Sequence, residues 1–259
     1  MLYPVRFVGW GDVVEWCWRL SRMVVDGGFR PDVVVAVGRG GFVAARLLCD
    51  FLDVSGLLAV PIRWVEVVRR PGERYLADLI RAWVRSLRGC GSIEEGISDV
   101  VSRLRVSLSF DYDVDLRGKR ALLVEEIVVT GFHMSTAKEI VEGRWLASEV
   151  KTATLVWKST ACKLKPDYHV IETRDFVWFQ FPWSRLDDYK QFVRVMLLEA
   201  SREEGKAEWS MDEIKGKFRE WYGSDPDLMY LKEAIEALMR EGLLKPITDR
   251  EFRVALTIE

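Results

Sequence analysis

The chain has 259 residues, 49% of them hydrophobic, and a formal net charge of −2, so it can bury a sizeable core and is long for one domain. The near-neutral balance by itself selects no partner, and no apolar run approaches the roughly 20 residues of a membrane span. Cys17, Cys49, Cys90 and Cys162 are scattered with no Cys-x-x-Cys pair, which argues against a zinc site or a disulfide framework and fits reduced thiols in the cytoplasm.

In chain order, Val13–Val25 sets Val14, Cys17, Ser21 and Val24 on one side and predicts a leading helix, ended by Gly27-Gly28. Val33–Val37 is a β-branched run, the mark of a central strand. Gly38-Arg39-Gly40-Gly41 turns it into a helix over Phe42–Phe51, and Leu57–Val68 predicts the next strand, interrupted at Pro61. Strand, glycine turn, helix and strand form a βαβ unit with a right-handed crossover. Residues 69–110 read as an insertion of two amphipathic helices: Leu76, Ile80, Trp83 and Leu87, then Ile93, Ile97, Val100 and Leu104, recur at helical spacing on either side of Gly89-Cys90-Gly91-Ser92. Ala121–Val124 predicts another central strand, with a helix to about Trp145 after it. Val150–Trp157 and Phe176–Phe181 complete the set as a fourth and a fifth strand.

Two of these strands run into loops with chemistry. Glu125 and Glu126 stand where the Ala121–Val124 strand emerges, at the sheet edge where open α/β folds bind ligands. Thr130-Gly131 then makes a tight turn, and the helix after it directs its first N–H groups at the loop, a ready anion site. Paired acids beside an anion loop suit a phosphorylated sugar. The other turn, Gly38 to Gly41, allows close backbone approach to a ligand. It is a poor dinucleotide fingerprint, because Val43 occupies the last glycine position of G-x-G-x-x-G, and no G-x-x-x-x-G-K-[ST] phosphate loop occurs.

Taken together, these segments resemble the type I phosphoribosyltransferases, whose ribose-phosphate signature is an apolar strand with two acids followed by Asp-Thr-Gly-x-Thr. The match is at Glu125, Glu126, Thr130 and Gly131; Val129 stands where the family has Asp, and His133 where it has Thr. The resemblance implies a central parallel sheet flanked by helices, with a base-binding hood. It implies that Glu125 and Glu126 hold the ribose hydroxyls of phosphoribosyl pyrophosphate (PRPP) and its Mg²⁺ indirectly, and that Thr130, Gly131, Phe132, His133, Met134 and Ser135 hold the 5′-phosphate. Arg39, Gly40 and Gly41 match the family's pyrophosphate loop. Lys163 to Tyr168 and Asp175 to Phe179 resemble the base segment of 6-oxopurine members, and Phe181-Pro182-Trp183 the ending of xanthine-guanine members. Lys165 is then the donor to the purine O6, Phe176 the stacking ring, Val177 the backbone reader and Trp183 a pocket wall. The family's mobile loop falls at Arg69 to Tyr75 and Ser107 to Tyr112; the long insert there reads as a lid, a dimer surface or a structural elaboration. A purine phosphoribosyltransferase working as a homodimer is the implied protein, with a non-catalytic PRPP- or nucleotide-binding regulator as the alternative.

A second domain is expected from 187 to 259, after a main domain over 1–186. Residues 1–186 carry 26 Lys/Arg against 23 Asp/Glu, and residues 187–259 carry 12 against 17. Phe192, Val193, Met196 and Leu197 line a first helix. Ser210 and Glu213 make a capping box for a second, and Asp225-Pro226 opens a third. Leu243–Ile258 reads as a β-hairpin. Three helices and a hairpin resemble a winged helix-turn-helix, but the third helix carries Asp227, Glu233, Glu236 and Glu241 against Lys232 and Arg240. DNA binding draws on Lys and Arg at phosphates, so this module suits protein–protein contact better than DNA.

Overall fold

The computed structural model describes residues 3–65, 75–103, 105–108, 112, 114–160 and 164–255. In chain order the elements are β1 (Val5–Phe7), α1 (Trp10–Asp26), β2 (Val33–Val37), α2 (Gly41–Leu52), β3 (Leu57–Val60), β4 (Ile62–Val65), α3 (Tyr75–Leu87), α4 (Ile93–Arg103), β5 (Arg105–Leu108), β6 (Arg120–Val128), α5 (Phe132–Gly143), β7 (Glu149–Lys158), β8 (Tyr168–Thr173), β9 (Trp178–Gln180), α6 (Arg185–Glu204), β10 (Glu208–Ser210), α7 (Met211–Tyr222), α8 (Leu228–Arg240), β11 (Leu244–Thr248) and β12 (Glu251–Val254). They gather into two compact units.

One unit, Val8–Val65 with Leu104–Asp175, is an α/β layer structure. Its sheet has the order β3-β2-β6-β7-β8, and every pairing is parallel. β2 is buried at all five positions, as a strand covered on both faces must be. Side chains alternate along it, so Val33, Val35 and Val37 join Leu123 and the α5 residues Met134, Ala137 and Val141 in one apolar cluster. No residue of α1 or α2 belongs to that cluster, and both helices pack on the sheet, so they cover its other face. The register Ala36↔Val124 brings the turn after β2 level with Glu125 and Glu126.

Three local expectations are corrected here. The run Leu57–Val68 divides at Pro61: β3 stays in the sheet, whereas β4 pairs antiparallel with β5 as a separate ribbon. Proline has no N–H for a ladder, so the strand changes partner there. The fifth strand of the sheet is β8, not Phe176–Phe181. Being an edge strand, β8 is only partly covered and lacks the clean alternation that would have marked it. Val14 is 45% exposed, and Val13, Trp16, Cys17 and Leu20 supply the buried face of α1 along with Ser21 and Val24.

The other unit comprises Met1–Phe7, Glu66–Arg103 and Phe176–Glu259. β9 pairs in parallel with the N-terminal β1, Val5 opposite Trp178. Tyr189 and every residue from Gln191 to Leu198 on α6 are buried, the pattern of a helix covered on all sides. Leu76, Ala77, Ile80 and Val84 of α3 lie in the same apolar cluster as Phe192, Val193 and Met196 of α6. The helical insertion and the C-terminal segment therefore share a core, and compactness divides the chain differently from the sequence boundary at 186/187. The expected insertion helices are α3 and α4; the basic stretch Arg69–Arg74 lies outside the described residues.

The Ser210–Glu213 capping box forms as expected. The Ser210 N–H donates to Glu213 at 2.8 Å, and the Glu213 N–H donates to Ser210 Oγ at 3.3 Å. α8 is capped one residue later than Pro226, by the Asp227 carboxylate accepting from Met229 N–H at 2.9 Å. β10, β12 and β11 form an antiparallel sheet in that order. β10 has three residues, too few to announce itself by alternation.

Candidate active site

β6 carries the acid pair inside the strand, which runs on to Val128. Neighbouring residues of a strand face opposite ways, so the two carboxylates leave the sheet on different sides. Glu125, 7% exposed, faces α5, where its Oε1 lies 3.1 Å from Nδ1 of His133. Glu126 faces the N-terminus of α2 and packs against Gly40: a Cβ added at Gly40 would overlap its carboxyl group. Each acid thus addresses one of the two glycine loops.

Burial pushes the Glu126 carboxyl up to about 8, the negative charge on Glu125 pushes the same way, and Arg39 opposes both. Arg39 is exposed on the turn, and the Gly38–Arg39 peptide bond is cis. Gly41 serves another purpose: a Cβ there would overlap the Val124 carbonyl, so glycine lets the start of α2 approach the β6 backbone.

On the other side, Val129 and Thr130 are half-buried and lead to Gly131, whose φ of 84° is the left-handed conformation that glycine takes at no steric cost. Gly131 caps α5, with Ser135 N–H donating to its carbonyl at 2.8 Å and Phe132 N–H donating to Thr130 Oγ1 at 3.4 Å. The opening turn of α5 presents backbone N–H groups that a helix cannot pair internally. Met134 points into the core and has only its backbone for a ligand; Phe132 is 52% exposed. His133, expected on the phosphate, has its ring on Glu125.

The expected base residues fall in both units. Lys165 is exposed in the α/β unit, its ammonium 5.9 Å from the centre of the Trp157 ring. Asp167 ties this segment to β7, accepting from Thr152 N–H at 2.8 Å and Thr152 Oγ1 at 2.7 Å. Phe176, Val177 and Trp183 belong to the other unit and are half-buried. Phe176 stacks on Trp83 at 4.8 Å with 11° between the planes, so one of its faces is already covered. Trp183 stacks on Phe181 at 4.9 Å. Lys158, which sequence reasoning passed over, ends β7, and burial pulls its ammonium down to about 8. The signal available was a lysine closing the apolar run Leu155-Val156-Trp157.

Comparison with known proteins decides the family: the sequence model of the phosphoribosyl transferase domain matches residues 12–189, more than half of the chain. The chain belongs to that family. It is 26% identical over 213 residues to the hypoxanthine-guanine phosphoribosyltransferase of Schizosaccharomyces pombe, covering 71% of this chain and 91% of the relative. It is 23% identical over 159 residues to xanthine phosphoribosyltransferase 1 of Saccharomyces cerevisiae, covering 58% of this chain and 68% of the relative. Among solved structures, a hypothetical protein from Neisseria gonorrhoeae with bound ppGpp superposes with a TM-score of 0.51 at 20% identity, over 80% of this chain and 99% of that one. That last likeness is one of fold. As a phosphoribosyltransferase-family chain, the protein has the parallel sheet and flanking helices that its sequence implies.

Proposed function

We propose that the protein transfers ribose 5-phosphate from PRPP to a purine base and releases pyrophosphate. The observation that carries this reading is the packing of Glu126 against Gly40, which joins the acid pair of β6 to the glycine turn after β2 in one site. Arg39, Gly40 and Gly41 take the pyrophosphate, with the Arg39 guanidinium pairing phosphate oxygens. Thr130 to Ser135 take the 5′-phosphate through backbone N–H groups. Glu125 and Glu126 take the ribose side and stabilise the oxocarbenium-like centre as the bond from C1′ to the pyrophosphate oxygen breaks and the bond to the base nitrogen forms. His133 holds Glu125 in place for this. Lys165, Phe176, Val177 and Trp183 are assigned to the base by the family resemblance, and the names of the curated relatives support a purine.

The donor set suits Mg²⁺: two carboxylates are hard oxygen ligands, and among the described residues no cluster of three His, Cys, Asp or Glu could cage a metal by itself. Mg²⁺ is commonly held by one or two carboxylates with substrate phosphates and water, and when bound with PRPP it neutralises pyrophosphate charge. The scattered cysteines support a cytoplasmic setting; among the described residues no helix is long and apolar enough to cross a membrane.

For the C-terminal segment, the order helix, strand, helix, helix, strand, strand from α6 to β12 supports a winged-helix-like module over 187–259, following a transferase domain over 1–186. Its acidic balance favours a protein partner over DNA. The protein works as a homodimer in this reading. Incubation with PRPP, Mg²⁺ and a panel of purine bases tests the transfer, with pyrophosphate release expected for at least one base. Val129 favours a second reading, a PRPP- or nucleotide-binding regulator, since the usual loop carboxylate is missing. PRPP binding without release for any base selects it.

A further inference from the structure

β6 and β7 end side by side at the carboxyl edge of the sheet. Their register sets Val128 opposite Trp157, so the residues that follow, Val129 and Lys158, are neighbours on strand ends about 5 Å apart. Both are half-buried, open enough for a ligand to meet them. An apolar side chain thus stands where a loop acid is usual, and the strand beside it closes on a cation. Lys165 adds a second positive charge, its ammonium 5.9 Å from the centre of the Trp157 ring. Burial pulls Lys158 down to about 8, which still leaves it mostly charged at neutral pH, and an anion beside it would favour the charged form. The acids described on the surrounding strands and loops are engaged elsewhere. Glu125 lies 3.1 Å from His133, Glu126 faces Gly40, Glu172 of β8 lies 4.0 Å from His169, and Asp167 accepts from Thr152. Beyond β8, Arg174 and Asp175 are exposed and opposite in sign.

We infer that Val129 and Lys158 together select the base in its anionic form, a 2,6-dioxopurine that has lost a ring proton, over neutral 6-oxopurines. This inference rests on the transfer reading and names its base. A neutral purine must surrender a proton as its nitrogen bonds to C1′, and valine cannot accept one. A base that has already given that proton to water needs no acceptor. Its nitrogen lone pair attacks C1′, the bond from C1′ to the pyrophosphate oxygen breaks, and pyrophosphate leaves with that electron pair. The negative charge spread over the ring and its oxygens meets Lys158 and Lys165, whereas an aspartate at position 129 would repel it. A carbonyl at C2 in addition to the one at C6 makes a purine acidic enough to ionise near neutral pH, which points to the 2,6-dioxopurines.

Calorimetric titration with nucleotides, slightly above neutral pH, tests the selection without turnover. The native chain is expected to bind xanthosine 5′-monophosphate about tenfold or more tightly than inosine 5′-monophosphate. Lys158→Met is expected to abolish the preference and Lys158→Arg to keep it. Val129→Asp, which does not depend on the lysine variant folding, is expected to reduce or reverse it, and to speed transfer to hypoxanthine while slowing transfer to xanthine. Equal affinities in the native chain overturn the inference. So does a preference that survives both Lys158→Met and Val129→Asp, or one that is lost only in Lys165→Met. Pyrophosphate release with xanthine, hypoxanthine and guanine keeps the two readings apart. A nucleotide preference with no release for any base overturns the transfer reading and leaves the selection standing. Faster release with hypoxanthine or guanine than with xanthine overturns the selection and leaves the transfer standing, and a chain that binds neither nucleotide overturns both.

Discussion

Alanine at Gly40 and at Gly41 separates the two jobs of the first glycine turn. Gly40 has φ −66° and ψ −33°, a backbone that alanine adopts freely, and such a replacement ordinarily gains about 0.4–1 kcal/mol by restricting the unfolded chain. The added Cβ meets only the far end of the Glu126 side chain, which can swing aside. Stability of Gly40→Ala is therefore expected to stay within about 1 kcal/mol of the native chain. The displaced carboxylate loses its bonds to the ligand, worth about 1.5–3 kcal/mol, so PRPP binds roughly ten- to a hundredfold more weakly. Gly41→Ala is the reverse case. Its Cβ meets the Val124 carbonyl, part of a central strand that cannot give way. Overpacking near the upper end, about 3 kcal/mol, less about 1 kcal/mol of helix propensity gained, leaves a net loss of about 2 kcal/mol. Urea unfolding and calorimetric titration with PRPP and Mg²⁺ measure both. Native PRPP affinity in Gly40→Ala would refute the joining of turn and acid pair in one site, and native stability in Gly41→Ala would refute the close approach of α2 to the β6 backbone.

Glu126 predicts a pH dependence. Its folded value near 8 lies above the ordinary carboxylate value of 4.5, so the stability it contributes is complete below 4.5 and is lost as pH rises through about 8. Glu126→Gln is expected to remove that decline, and calorimetry in buffers of different ionisation enthalpy is expected to find a proton released on PRPP binding at pH 7; identical heats in all buffers would contradict it. Val129→Asp supplies the missing loop acid and is expected to raise kcat by roughly a hundredfold, with PRPP affinity little changed; an unchanged rate of pyrophosphate release refutes that role. Ser210→Ala removes the Oγ that accepts from Glu213 N–H and donates to the Glu213 carboxylate, leaves the backbone half of the capping box, and is expected to cost about 1 kcal/mol in urea unfolding, with Ser210→Thr largely restoring it.

Much of the protein was legible without coordinates. The run Val33–Val37, the helical spacings of the insertion, the capping box at Ser210 and the two glycine loops all lie within a turn or a strand length, where backbone periodicity and local hydrogen bonding decide the outcome. The family resemblance, too, rests on contiguous residues. Tertiary structure alone decided the longer-range matters. It chose β8 for the sheet edge and sent Trp178–Gln180 to pair with Val5–Phe7. It put the insertion on α6, covered one face of Phe176 with Trp83, and turned His133 toward Glu125. It also left Trp10, Val14 and Trp18 facing outward on a helix whose other side is core. Strand edges and apolar faces far apart in the chain compete for one another, and a periodic pattern states that a face must be covered without stating by what. The acid pair shows both levels at once: its presence is local sequence, but the loop each carboxylate meets depends on α2 and α5 packing on opposite faces of β6.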